Sequence, residues 1–316
     1  MSVGVLIPAY NAGRFIGRAI HSALDQTLPP TQIVVVDDGS EDDTEKVCGR
    51  LRDRIQYIRV PHAGKSVARN IGMSVLATDY IAFLDADDEF LPSHLDQLMA
   101  VAERNGADVF YDCVESPYFM AGRRPPRRPQ GKQAYRHLSC YQLWLPASMV
   151  SAEFVRRLGV QFDPGLEIGE DLLFMARLIV GGARIRYVRR YGIRVGRHGA
   201  NTTGDPGRVF RQTAVALGRV RRSPELTKAG QRELLYIREL RKGRAHNVLL
   251  WLAHRIYHGT DQGHSLKRMM RLALTPGTPV RWQDRSRSFV IPLWMAAGRP
   301  RRSWLVRRLF GYGIAT

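Results

Sequence analysis

Aspartates crowd two short stretches of this chain. Asp37-Asp38-Gly39-Ser40 follows the apolar run 33–36, and Asp85-Ala86-Asp87-Asp88 follows the apolar run 80–84. Asp-Asp-Gly-Ser alone reads equally well as a turn with a helix cap. Three aspartates within four residues, however, exceed what capping the next helix requires. Packed together without a cation they repel one another. A hard divalent cation such as Mg2+ or Mn2+, held by one or two carboxylates and a ligand's phosphates, relieves that repulsion. The spacing is not that of an EF-hand, whose loop needs glycine where this chain has Phe90. A further acid, Asp171, opens the apolar stretch 171–180; on position alone it is a first-turn acid favoured by the helix macrodipole.

The segments around these acids alternate between two periods. Residues 3–7, 33–36, 55–60 and 80–84 are short apolar runs that read as buried strands, and 109–111 reads as a fifth. Between them, Phe15, Ile16, Ala19, Ile20, Ala23 and Leu24 repeat at helical spacing; helices are also expected over about 43–52 and 67–76 and from Pro92 onward. Strand runs without alternation, separated by helices, imply an α/β fold with a mostly parallel sheet and helices on both faces. Ligands of such sheets bind at the carboxyl ends of the strands. Pro8-Ala9-Tyr10-Asn11, Asp37-Asp38-Gly39-Ser40 and Asp85-Ala86-Asp87-Asp88 all follow strands and fall there.

The remainder has another character. Residues 122–129 (GRRPPRRP) are a surface loop, because proline interrupts both helix and sheet interiors. Order returns at 147–150 and 154–158, followed by a helix at 171–180 and a strand-like run at 185–188. Beyond His198 the chain reads as helical and basic, with 23 Lys and Arg against 6 Asp and Glu in residues 199–316. The expected division is a nucleotide-binding and catalytic domain over 1–204 and an Arg-rich helical region over 205–316. Charge is uneven in the same sense: residues 1–112 hold 10 basic and 17 acidic side chains, while the whole 316-residue chain carries +19. A basic remainder of this kind suits an anionic surface.

Several classes are excluded. Cys48, Cys113 and Cys140 form no CxxC pair and are odd in number, so neither a disulfide framework nor a zinc ribbon is encoded. No basic stretch precedes an apolar leader at the N-terminus, and no apolar run approaches the ~20 residues of a spanning helix. A cytoplasmic protein, peripheral at the inner face of the membrane, is the expectation. A nucleic-acid binder is disfavoured, with no helix-turn-helix, finger spacing or RNP-type string. A NAD-dependent oxidoreductase needs G-x-G-x-x-G after the first strand, where this chain has PAYNAG. A nucleotidyltransferase lacks its phosphate loop there, and is kept as an alternative beside a catalytically inactive nucleotide-sugar-binding protein.

Five ordered strings, VLIPAYNAG, VVVDDGSEDDT, GKSVARNIG, YIAFLDADDEFLP and GLEIGEDLLFMARLIVGG, resemble the family 2 glycosyltransferases of the GT-A fold. The resemblance covers about residues 1–200. It implies an inverting enzyme that moves a sugar from a nucleotide-diphosphate sugar, a UDP-sugar first among them, to a glycan or lipid-linked hydroxyl. It further implies that Asp38 holds the base, and that Pro8, Ala9 and Tyr10 form the edge of the base and ribose site. Arg69 matches a basic residue near the nucleotide; otherwise it is an arginine on a helix face. Asp85 and Asp87 match the DXD motif, the first facing the ribose and the second the metal, Mn2+ or Mg2+, with Asp88 sharing that duty. Asp171 matches the catalytic base of inverting members, and Glu170 beside it is a possible phosphate or acceptor contact. His198 matches a histidine near the donor phosphates or is structural. Trp144 and Tyr141 line the acceptor site or belong to the core.

The tail mixes arginines with large apolar groups. Leu305, Leu309 and Tyr312 share one face at helical spacing, while Arg301 and Arg308 lie a heptad apart on another. Such a segment can lie in a bilayer interface among anionic headgroups, or it can cap the catalytic domain.

Overall fold

The computed structural model describes residues 1–115 and 145–196, with positions 212, 215, 216, 218–220 and 222. The Arg/Pro stretch 122–129, Tyr141, Trp144, His198 and the basic tail at 289–312 lie outside the described residues. Among the described residues no helix is long and apolar enough to cross a membrane.

Strand β1 (Val3–Ala9) is buried along its whole length. Its side chains alternate between two cores: Val5 and Ile7 join one cluster and Leu6 the other. Helix α1 (Ile16–Leu24) covers the Val5 side with Ile16, Ala19, Ile20 and Ala23, the i, i+3, i+4, i+7 stripe foreseen from the sequence. After β2 (Gln32–Asp37), α2 (Thr44–Gly49) and β3 (Gln56–Arg59), helix α3 (Lys65–Val75) covers the Leu6 side. Gly72 is what lets α3 come so close to β1: a Cβ there would fall 2.0 Å from Leu6 Cδ1.

Strands β4 (Tyr80–Phe83) and β5 (Glu89–Phe90) precede α4 (His94–Asn105) and β6 (Val109–Glu115). A 3-10 turn (Leu145–Ala147) leads into β7 (Ser148–Ser151), α5 (Ala152–Leu158), α6 (Glu170–Val180) and β8 (Ile185–Arg194). Among the described residues eight strands lie in one sheet in the order β3-β2-β1-β4-β7-β6-β8-β5. Pairings within β3-β2-β1-β4 are all parallel, and so is β6 with β8. The sheet is mostly parallel and covered by helices on both faces, as expected. Two details differ. The expected fifth strand does not extend the parallel run, because β7 enters between β4 and β6, antiparallel to both. Helix α4 begins at His94 rather than Pro92, whose carbonyl instead accepts the Thr27 N–H at 2.8 Å.

Beyond residue 204, Ala216 and Val220 are buried in the cluster that holds Leu6, and Arg219 pairs with Asp163 of the segment between α5 and α6.

Candidate active site

The loops leaving β1 and β2 are laced together at the carboxyl edge of the sheet. Asn11, with φ of 49°, turns the chain so that three successive N–H groups face the second loop. The Asn11 N–H donates to Ser40 Oγ at 2.9 Å, that of Ala12 to Thr44 Oγ1 at 2.8 Å, and that of Gly13 to Asp42 Oδ2 at 2.8 Å. Asn11 Oδ1 in return accepts the Glu41 N–H at 2.9 Å. Asp37 is fully buried and caps its own turn by accepting the Ser40 N–H at 2.8 Å. Gly39 has φ of 74°, and a Cβ there would stand 2.9 Å from the His62 backbone nitrogen. The glycine of Asp-Asp-Gly-Ser is therefore required by both backbone angle and space.

Asp38 lies under the segment that follows β3. Its carboxylate accepts the N–H groups of Ala63 at 2.8 Å and Gly64 at 2.9 Å, and His62 Nδ1 stands 2.9 Å from Oδ2. The His62 ring stacks on Tyr10, with centroids 4.2 Å apart and planes 22° from parallel. Pro8 and Ala9, the last residues of β1, are buried beneath this pair of exposed rings.

The acid loop after β4 separates its three aspartates. Asp85 and Asp87 are half-buried, whereas Asp88 is buried. Asp88 Oδ1 accepts the Gly196 N–H at 2.9 Å, tying the loop to the end of β8. Burial above all, then the charges of Asp85 and Asp87, pushes the Asp88 carboxyl up to about 8. Among the described residues no group of three or more His, Cys, Asp or Glu side chains forms a ready-made cation cage. A cation bound through one or two carboxylates and a ligand's phosphates needs no such cage. The charges of Asp85 and Asp87 add to the burial that raises Asp88, and that added repulsion is what a cation would relieve.

Arg69 joins this loop to the start of α6. Its side chain is 3% exposed; Nη2 donates to Asp85 Oδ1 at 2.7 Å and Nη1 to Glu170 Oε1 at 2.8 Å. Its guanidinium also lies over the Phe162 ring, 5.2 Å from the centroid. Lys65, one helical turn before Arg69 on α3, reaches the same Glu170 oxygen at 2.7 Å. Lys65, Glu170, Arg69 and Asp85 thus form a row of alternating charge along the floor of the site. Arg69 lies near the expected nucleotide site, but the carboxylates of the acid loop and of the first residue of α6 take its hydrogen bonds. Glu170, read from sequence as a possible phosphate or acceptor contact, is buried as the hinge of the row.

Asp171 is the next residue, partly open to the surface at the first turn of α6. Its Oδ1 accepts its neighbour's N–H, that of Leu172, at 2.7 Å. Burial, then the charge of Glu170, pushes its carboxyl up to about 6, against the opposing pull of Lys65 and Arg69. A carboxylate of that basicity suits proton abstraction near neutral pH. Beneath the acid loop, His94 Nδ1 meets Asp112 Oδ2 at 2.7 Å with both side chains fully buried. A Cβ on Gly192 would fall 1.8 Å from that oxygen.

The structure brings Pro8, Ala9, Tyr10, Asp38, Arg69, Asp85, Asp87, Asp88, Glu170 and Asp171 to one edge of the sheet. His62 and Lys65 were missed. The i, i+4 spacing of Lys65 and Arg69 was the available signal for the second; His62 carried none.

Residues 4–156 match the family described as Glycosyl transferase family 2. The uncharacterized glycosyltransferase YibD of Escherichia coli (strain K12) is 36% identical over 110 residues, covering 34% of this chain and 32% of that protein. The chain thus spans under two thirds of that relative's length. The succinoglycan biosynthesis protein ExoU of Rhizobium meliloti (strain 1021) is 27% identical over 263 residues, 75% of each. Among solved structures, that of S. aureus TarS 1-349 in complex with UDP-GlcNAc superposes with a TM-score of 0.65 at 18% identity, over 86% of this chain and 80% of that one. At such identity the likeness is one of fold.

Proposed function

From the match of residues 4–156 to Glycosyl transferase family 2 we propose that the chain transfers a sugar from a nucleotide-diphosphate sugar to an acceptor hydroxyl with inversion. The observation that carries the reading is the Arg69 bridge, which places the acid loop and the Glu170-Asp171 turn on either side of one guanidinium. Donor handling and proton abstraction then share one floor.

Each residue has a part. Tyr10 and Asp38 take the base. Asp85, fixed by Arg69, faces the ribose, and Asp87 faces the diphosphate. Asp87, with Asp88 bracing the loop, would hold a divalent cation, Mn2+ or Mg2+, which would neutralise charge on the departing diphosphate. Asp171 accepts the proton of the acceptor hydroxyl as that oxygen bonds to the anomeric carbon. The bond from that carbon to the diphosphate oxygen breaks with its electron pair, and the nucleoside diphosphate leaves. A single displacement from the opposite side inverts the configuration. A UDP-sugar is the first donor to test, because the superposed TarS structure holds UDP-GlcNAc. A polysaccharide acceptor is favoured by the likeness to a succinoglycan biosynthesis protein. A thermal-shift series of nucleotide sugars with and without Mn2+ tests the reading, since a bound ligand raises stability by mass action. A metal-dependent rise with one nucleotide class is expected; no rise with any of them would overturn it.

We also propose that the basic tail attaches the enzyme to an anionic membrane surface, where each basic residue contributes ~1 kcal/mol. Flotation with anionic liposomes at low salt and release at high salt are expected. No flotation at low salt would contradict it.

A further inference from the structure

Asp38 is covered in the donor-free protein. This residue is assigned to the nucleotide base, yet its side chain is only 3% exposed. The Ala63 and Gly64 N–H groups hold the carboxylate from the backbone, and such bonds can persist when a ligand arrives. The remaining cover is a side chain. His62, 56% exposed, stands with Nδ1 at 2.9 Å from Asp38 Oδ2 and 3.1 Å from the Asp38 carbonyl oxygen. Both neighbours only accept hydrogen bonds, so Nδ1 carries the hydrogen and donates it. The same ring stacks on Tyr10 at 4.2 Å.

A flat heterocycle stacked on Tyr10 while donating an N–H to Asp38 makes the contacts that a pyrimidine base would make in this site. We propose that His62 occupies the base position in the donor-free protein and that the nucleotide enters by displacing it. The proposal rests on the donor reading above, and it makes His62 a determinant of donor affinity rather than a wall of the site. The segment is suited to such a move. Pro61, His62 and Ala63 are all exposed, and Gly64 with φ of 95° immediately precedes α3. Displacement gives up one hydrogen bond and one ring stack. The base replaces both, so its apparent affinity is its intrinsic affinity multiplied by the fraction of molecules in which His62 has left the position.

The test is calorimetric titration of the full chain with UDP in MgCl2, repeated with CDP and GDP. His62→Ala empties the position without touching the core, and is expected to bind UDP about three- to tenfold more tightly than wild type, the range of one modest hydrogen bond. His62→Gln keeps an N–H for Asp38 but loses the stack, and should fall between the two. In an Asp38→Asn background the gain from His62→Ala should shrink, because an uncharged amide holds the His62 N–H less strongly than a carboxylate. Equal or weaker UDP binding by folded His62→Ala would overturn the proposal and make the ring a platform for the base. Absence of nucleotide binding by wild type and variants alike would overturn the donor reading itself.

Discussion

Replacing Arg69 by methionine tests the row of charges directly, and its cost can be worked from the two carboxylates left behind. Asp85 is 34% exposed, so water can reclaim it, and the loss of such a pair amounts to ~0.2–1 kcal/mol. Glu170 is 2% exposed and cannot be rehydrated in place. Breaking a buried pair from one side costs ~3–5 kcal/mol. Lys65 stays 2.7 Å from Glu170 and returns part of that, which puts the net figure at the low end, about 3 kcal/mol. For a domain of roughly 150–250 residues this lowers Tm by about 6–12 °C. Urea denaturation followed by circular dichroism measures it. Arg69→Met combined with Glu170→Gln should recover most of the loss, because a buried amide leaves no uncompensated charge. The pH profile gives a second readout. Arg69 holds the Asp171 carboxyl below where burial and Glu170 alone would put it, about 6 with Arg69 present. Removing the guanidinium should therefore move the acid limb of kcat/KM upward from that region, so that activity is lost at higher pH. A variant within ~1 kcal/mol of wild type, or a double variant no more stable than the single one, would refute the reasoning.

Asp87→Ala should leave the fold intact while abolishing turnover and the metal dependence of nucleotide binding, measured by calorimetry with and without Mn2+. Full activity of chelator-treated wild type would contradict the metal assignment. Gly192→Ala places a methyl group 1.8 Å from Asp112 Oδ2 and 2.1 Å from His94 Nδ1, and overpacking of this kind costs ~1–3 kcal/mol. Urea denaturation should register that loss, and an unchanged midpoint would show that β8 shifts freely.

The parallel half of the sheet was legible because its signal is local. Unbroken apolar runs such as residues 33–36 mean burial on both faces, and the α1 stripe repeats at helical period. The antiparallel entry of β7 between β4 and β6 was not legible, since pairing partners far apart in the chain leave no periodic mark. The acids of the site stood out because carboxylates grouped after buried strands are costly without a purpose. Their division of labour did not, because Asp85, Asp87 and Asp88 look alike as letters. Only packing shows that Asp85 is tied to Arg69 and that Asp88 is buried under Gly196. Arg69 is the sharpest case: the string SVARN resembles a nucleotide-site motif, while the geometry makes its arginine a strut between two carboxylates.

Transfer by Asp171→Asn, measured in single turnovers with the donor identified by thermal shift, bears most directly on the account. Asparagine keeps the shape and removes the basicity. Because folding raises the Asp171 carboxyl from 3.8 to about 6, the wild type loses stability as pH climbs through that interval and has lost it fully by pH 8. The variant should therefore be at least as stable as wild type at pH 8, which separates loss of the base from loss of the fold. The account predicts nucleotide binding within about twofold of wild type and transfer slower by about 10²–10⁴. Near wild-type transfer by a folded Asp171→Asn, or a product that retains the donor's anomeric configuration, would contradict it.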